Sequence, residues 1–115
     1  MAQASTAQST AMSPATTGVM AILTVKPGVT RERVMGVLPA EIRQTVQLYL
    51  NGKIRQWYSR GDGRGAIFFL DTTDVDEAAA IMDALPLARE ELMDHEYIAV
   101  GPLFPLGLLM IAPND

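Results

Sequence analysis

The sequence contains no cysteine. Disulfides, thiolate nucleophiles and cysteine-held metals are therefore excluded. His95 is the single histidine, which leaves no multi-histidine zinc site, and neither metal nor organic cofactor is expected. Basic side chains are few, nine against thirteen acidic ones, for a net charge of −4. They are also scattered, with Arg31 and Arg33 the nearest to a pair. Nucleic-acid binding needs a basic stripe and so does an anionic bilayer surface, so neither partner is expected. The longest uncharged apolar stretch, Gly101 to Ala112, carries two internal prolines and has about half the length of a membrane span. Residues 1–17 lack a basic start and an apolar centre, so they do not read as a secretory signal. With cysteine absent as well, a cytoplasmic protein is expected.

What is present is a chain of 115 residues, 49% of them hydrophobic. That suits one domain with one modest core, burying roughly two-thirds of the unfolded surface. Residues 1–17 (MAQASTAQSTAMSPATT) form an uncharged, low-complexity tail, with an arm exchanged onto a neighbouring copy as the functional alternative. Residues 18–101 make the domain, and residues 102–115 an apolar C-terminal arm.

Within the domain, the apolar run 18–25 (GVMAILTV) ends at Pro27-Gly28 and reads as a strand covered on both faces. Thr30 is a good N-cap for a helix in which Val34, Leu38, Ile42, Val46 and Tyr49 recur at helical spacing. Pro39 predicts a kink or a break there, and Asn51-Gly52 closes the segment. Residues 53–60 alternate, putting Ile54, Gln56 and Tyr58 on one face and Arg55, Trp57 and Ser59 on the other. A glycine-rich turn at 61–65 joins them to a second strand, 66–71, as a hairpin. Asp74 caps a helix with Val75, Ala78, Ala79, Met82 and Leu85 as its stripe, and Leu85-Pro86-Leu87 stops it. Residues 88–93 add a helical turn, and 94–100 alternate again, with His95, Tyr97 and Ala99 on one face.

The order strand, helix, strand, strand, helix, strand predicts an α+β, ferredoxin-like βαββαβ domain: a four-stranded antiparallel sheet with both helices on one face. The other sheet face, carrying Phe68 or Phe69 according to register, is left bare. A bare apolar face of that size is poorly tolerated by a monomer, so pairing with a second copy is expected. The arm 102–115 packs either along its own domain or as a clasp on a neighbouring subunit.

The hairpin Gly52…Trp57-Tyr58…Phe68-Phe69-Leu70-Asp71, the helix Val75–Leu85, and above all Leu85-Pro86-Leu87 before the last strand resemble the muconolactone isomerase family of the dimeric α+β barrel superfamily. The resemblance covers residues 19–101. It implies two sheets facing each other in a homodimer, with larger rings built from dimers. It also implies a reaction that moves a double bond within a lactone by proton transfer, with no cofactor. Those isomerases carry a histidine in the second strand, where Gln56 stands here, and a phenylalanine-rich motif where this chain has Ala88-Arg89-Glu90.

Proton transfer beside a carbonyl needs a base of suitable pKa and a donor or cation for the enolate. His95 is a candidate base, with Tyr58 or Tyr97 as donor, if their faces and that of Gln56 look toward the helices. Set against this, a surface or interface histidine is the plainer reading of His95. Arg55 is a candidate for holding a substrate carboxylate, and Trp57 for a stacking contact. On the first helix, Glu41 is an alternative base if burial raises its pKa, and Arg43 a candidate anion contact, each weighed against a solvated helix face. The glycine turn 61–65 opens no helix, so it is not a phosphate cradle. The leading function is a cofactor-free isomerase acting on a small lactone, a polyketide-like or an aromatic-derived acid. The alternatives are a non-catalytic ligand-binding or assembly subunit and, third, a cofactor-independent monooxygenase. A cavity between sheet and helices distinguishes the first from a closed, purely structural interior.

Overall fold

The computed structural model describes residues 15–103; residues 1–14 of the tail expected at 1–17, and most of the C-terminal arm expected at 102–115, lie outside them. Seven elements follow in order: β1 (Gly18–Val25), α1 (Arg31–Leu50), β2 (Ile54–Ser59), β3 (Gly65–Leu70), α2 (Val75–Asp83), α3 (Pro86–Arg89) and β4 (Met93–Val100). The four strands form one antiparallel sheet in the order β2-β3-β1-β4. This is the α+β, ferredoxin-like arrangement that the pattern of apolar positions predicts.

The register sorts side chains between the faces. In β1, Val19, Ala21 and Leu23 are buried toward the helices, while Met20, Ile22 and Thr24 on the opposite face are only half-buried. Among the described residues the helices cover one side of β1 alone, so the cover expected on its second face does not come from them. Phe68 and Leu70 of β3 join the core, and Phe69 lies on the open face. The core is completed by Ile54, Ala78, Met82, Leu85, Leu87, Leu92 and Met93. Truncating one of the larger of these to alanine costs about 2–5 kcal/mol.

Two local features depart from the sequence reading. Pro39 neither breaks nor divides α1, which runs unbroken for 20 residues from its Thr30 cap. Thr30 Oγ1 accepts from Arg33 N–H at 3.2 Å. Pro39 is exposed, so the lost amide bond falls on the solvent side, where water can serve the freed carbonyl. The second departure is in β2, where the register slips between Ile54 and Gln56. The bulge at Arg55 makes Ile54 and Trp57 both face the helices. The strict alternation that grouped Arg55 with Trp57, and Ile54 with Gln56, is thereby corrected.

The helices end and begin as their caps dictate. Asp74 accepts from Asp76 N–H at 2.9 Å and opens α2. Leu85 then takes an extended conformation and Pro86 starts α3 at the first helical position. The helical turn thus begins two residues earlier than the expected 88–93. Gly65, at the start of β3, passes so close to β1 that a Cβ there would lie 1.9 Å from the Leu23 carbonyl oxygen. Only glycine fits that approach.

Candidate functional site

The two long helices sit differently on the sheet. The backbone of α2 packs against β4 and β1, while α1 makes its main approaches to β2 and to α3. Standing off the central strands, α1 leaves a cleft of about 960 Å³ between itself and the sheet. That volume matches sites for small organic molecules.

The walls follow from the periodicities already described. Leu23, Ala66 and Phe68 supply the sheet side. Val34, Leu38, Glu41 and Thr45, spaced three or four apart, supply the helix side. Leu87 of α3 and Met93 at the start of β4 form the back. Near the C-terminal end of α1, Tyr49 stacks on Trp57 of β2 with ring centroids 4.2 Å apart and planes 11° from parallel. The stack holds α1 over β2, an arrangement worth about 0.5–1.5 kcal/mol beyond the area it covers.

Glu41 is the acidic group within these walls. Only 6% of it is exposed. Its Oε1 accepts the Leu87 N–H at 2.9 Å, and its own carbonyl accepts from Thr45 Oγ1 at 2.8 Å. Burial raises the carboxyl pKa above its ordinary value, since the charged form loses its hydration; the Leu87 N–H acts in the opposite sense and is the smaller effect. A buried acid with a displaced pKa beside a cavity is the pattern of a proton-transfer group.

The other sequence candidates lie in four places. Trp57 lines the cleft with Glu41. His95 and Tyr97 face the helices, but beneath α2 and outside the cleft lining. There the Tyr97 hydroxyl lies 3.2 Å from His95 Nδ1, and Asp83 Oδ1 lies 3.4 Å from the same nitrogen. His95 Nε2 is buried with no partner among the described residues. Burial first, and the Asp83 charge second, push the Tyr97 phenol up to about 12.

Tyr58 and Gln56 are on the open sheet face, where the Tyr58 hydroxyl donates to Gln56 Oε1 at 3.0 Å. The sheet separates them from His95, so the arrangement does not bring His95 and Tyr58 to one pocket. Arg55 is also on the open face, paired with Asp71 at 2.9 Å, bonded to the Thr17 carbonyl, and stacked 4.6 Å over the Phe69 ring. Those contacts occupy its guanidinium. Arg43 is exposed on α1 and does not line the cleft.

Among the described residues no group of three or more histidine, aspartate or glutamate side chains is placed to hold a metal ion. No described helix is long and apolar enough to cross a membrane. The fold and cleft thus define a class: a ferredoxin-like α+β protein with a ligand-sized space between its first helix and its sheet. No known family model matches the chain, and no curated protein matches it in sequence.

Sequence reasoning missed Thr45 and the cations near the cleft entrance, Lys26, Arg31 and Arg64. A signal for Thr45 was present: it continues the spacing Val34, Leu38, Glu41 along one face of α1. The cations had none, because β1–α1 loop and β2–β3 turn meet only in the folded chain.

Proposed function

We propose that this protein is a cofactor-free enzyme of the muconolactone isomerase type, catalysing proton-transfer isomerisation of a small lactone or aromatic-derived acid bound in the α1–sheet cleft. One observation carries the reading: the Glu41 carboxyl is buried at the wall of a largely apolar cleft and its pKa is raised. A carboxylate made more basic by burial is a better base at neutral pH than a free one. In this reading Glu41 takes the proton from the ring γ-carbon, which is conjugated with the lactone carbonyl through the ring double bond. The electron pair of that C–H bond moves through the double bond into the carbonyl, giving a dienolate. The Glu41 carboxylic acid then returns the proton to the carbon next to the carbonyl, and the double bond has moved. Ser59 and Trp57 line the sheet wall opposite α1 and bring donors toward the enolate oxygen. His95, Tyr97 and Tyr58 stand outside the cleft and take no contact role in this scheme.

A second copy closes the open sheet face in the same reading, giving a homodimer or a ring of dimers in a cytoplasmic setting. Met20, Ile22, Ile67, Phe69 and Ile98 share that face, and Ile98 is 44% exposed. Contiguous apolar surface of this kind favours association.

The test is solvent exchange. Muconolactone and related butenolides are incubated with the protein in D₂O and followed by proton NMR. Deuterium should enter the ring as the double bond moves, and Glu41→Gln should slow this by roughly 10²–10⁴-fold, the usual contribution of a general base. A panel that binds in the cleft without exchange would instead establish the ligand-binding module.

A further inference from the structure

Charge is distributed unevenly around the cleft. Three of the chain's nine basic side chains, Lys26, Arg31 and Arg64, line it, but among the described residues only one of the thirteen acidic ones, Glu41. The protein as a whole carries −4, so this positive excess runs against the average. Of the three cations, Arg64 lies near enough to Asp62 to help Arg60, the larger cause, lower the pKa of that carboxyl. Arg33, Arg55 and Arg60 are each paired with a carboxylate, on Glu90, Asp71 and Asp62. Lys26, Arg31 and Arg64 have no ion pair among the described residues.

Their placement is fixed by backbone, not by chance of side-chain reach. Val25 N–H donates to the Arg64 carbonyl at 2.8 Å, and Lys26 N–H to the Leu92 carbonyl at 2.9 Å. The β2–β3 turn and the β1–α1 loop are thereby tied together at one end of the sheet. Arg31 opens α1 at the same end. Arg31 and Arg64 are exposed and Lys26 half-buried, whereas Glu41, Phe68 and Leu87 at the other lining positions are buried. The cleft is therefore cationic at the end where the β1–α1 loop and the β2–β3 turn meet and buried at Glu41, Phe68 and Leu87, while Met35, Ile42, Val46 and Trp57 along its side stay partly exposed. Cations at the entrance to a low-dielectric cleft concentrate anions there.

We propose that the cleft selects an amphipathic organic anion, its carboxylate held at the entrance by Lys26, Arg31 and Arg64 and its apolar body directed inward toward Glu41. Arg31 and Glu41 are ten residues apart on one helix, about 15 Å along its axis. The arginine side chain shortens that gap, so the ligand holds its carboxylate away from the reacting carbon, as a ring bearing a short acid chain does. The proposal rests on the reading of the cleft as the ligand site and adds which end takes the charge.

The experiment compares 4-phenylbutyrate with its uncharged amide, 4-phenylbutanamide, by calorimetry at low salt. Trp57 is the chain's single tryptophan and lies in the cleft, so its fluorescence reports binding there and not on the open sheet face. The carboxylate should bind at least ~10-fold more tightly than the amide, as expected for charge-assisted contacts, and raising the salt should shrink the gap. The triple variant Lys26→Gln, Arg31→Gln, Arg64→Gln should reduce carboxylate affinity to that of the amide and leave the amide unchanged. The three single variants should each give part of that loss, which guards against a misfolded triple variant. Equal affinity of the two probes for the wild type overturns the anion assignment and leaves the cleft as a ligand site. Failure of both probes to perturb Trp57 or release heat overturns the assignment together with the ligand-site reading on which it rests.

Discussion

Glu41 on α1 accepts the backbone N–H of Leu87, 46 residues later at the start of α3, at 2.9 Å. This one bond joins the long helix to the segment that leads into β4, at a depth where little water remains to replace it. It also makes the carboxyl serve two ends. As an acceptor it fixes the Leu87 amide, and under the proposed function the same carboxyl carries the proton in the cleft.

The raised pKa has a consequence for stability that needs no substrate. In the unfolded chain Glu41 titrates at its ordinary value of 4.5, and in the native state higher. Between the two, the native state binds more protons, so stability falls as pH rises through that interval and stays lower above it. Below the ordinary value both states are protonated and the penalty is absent. Glu41→Gln keeps an oxygen acceptor for Leu87 but cannot ionise. Its melting temperature relative to wild type should therefore be higher at pH 8 than at pH 3.5. A difference that is the same at both pH values would show that Glu41 ionises as freely in the fold as outside it.

Pro39 offers a separate test of why α1 is continuous. It is exposed and lies inside the helix, so replacing it removes no core packing while restoring a backbone donor. Pro39→Ala should stabilise the protein by ~1–3 kcal/mol, read as a shift of the urea midpoint at unchanged slope. A loss of stability would mean that the proline sets a bend on which the fit of α1 over the cleft depends.

These residues also show where sequence reasoning ends. Element order, the Asp74 cap and the bounds of β1 follow from local chemistry, because apolar period and capping act over a few residues. Glu41 was legible only as a carboxylate that burial would make a base: the expected stripe Val34, Leu38, Ile42, Val46 and Tyr49 put the neighbouring face of α1 inward, whereas the fold buries Glu41 and Thr45 and leaves Ile42, Val46 and Tyr49 exposed. The bulge at Arg55 was not visible. It depends on the pairing of β2 with β3, and one slipped residue moves every later side chain to the other face. The separation of His95 from Tyr58 is the result. A pocket between sheet and helices was expected, but its place under α1, away from His95 and Tyr97, was not legible: the Tyr49–Trp57 stack and the Glu41–Leu87 bond that tie α1 at its edges are not local in sequence.

The open sheet face predicts self-association. Ile22 is central on that face, opposite Ile67 on one side and Glu96 on the other. If a second copy covers it, the wild type should sediment at micromolar concentration as a dimer or larger ring. Ile22→Glu should then raise the dissociation constant by roughly 100-fold or more, because a carboxylate would be buried without a partner. Its far-ultraviolet circular dichroism should not change. A wild type that sediments as a monomer across that range would remove the second copy from the proposed function without touching the cleft.

The last prediction concerns the cluster beneath α2, where the Tyr97 phenol lies 3.2 Å from His95 Nδ1 and Asp83 is close by. Tyr97 is held protonated to about 12, against an ordinary value of 10.0, mainly by burial and next by the Asp83 charge. Ultraviolet titration should show a phenol ionising near 12 that disappears in Tyr97→Phe and moves down in Asp83→Asn, which removes the second cause alone. Stability should follow the same logic. The unfolded phenol loses its proton near 10 and the native one only near 12, so stability is fully present below 10 and falls as pH rises through that window. Tyr97→Phe should lessen that alkaline loss. If Asp83→Asn left the titration unmoved, burial by itself would set the phenol's pKa, and the carboxylate would be only a neighbour of His95.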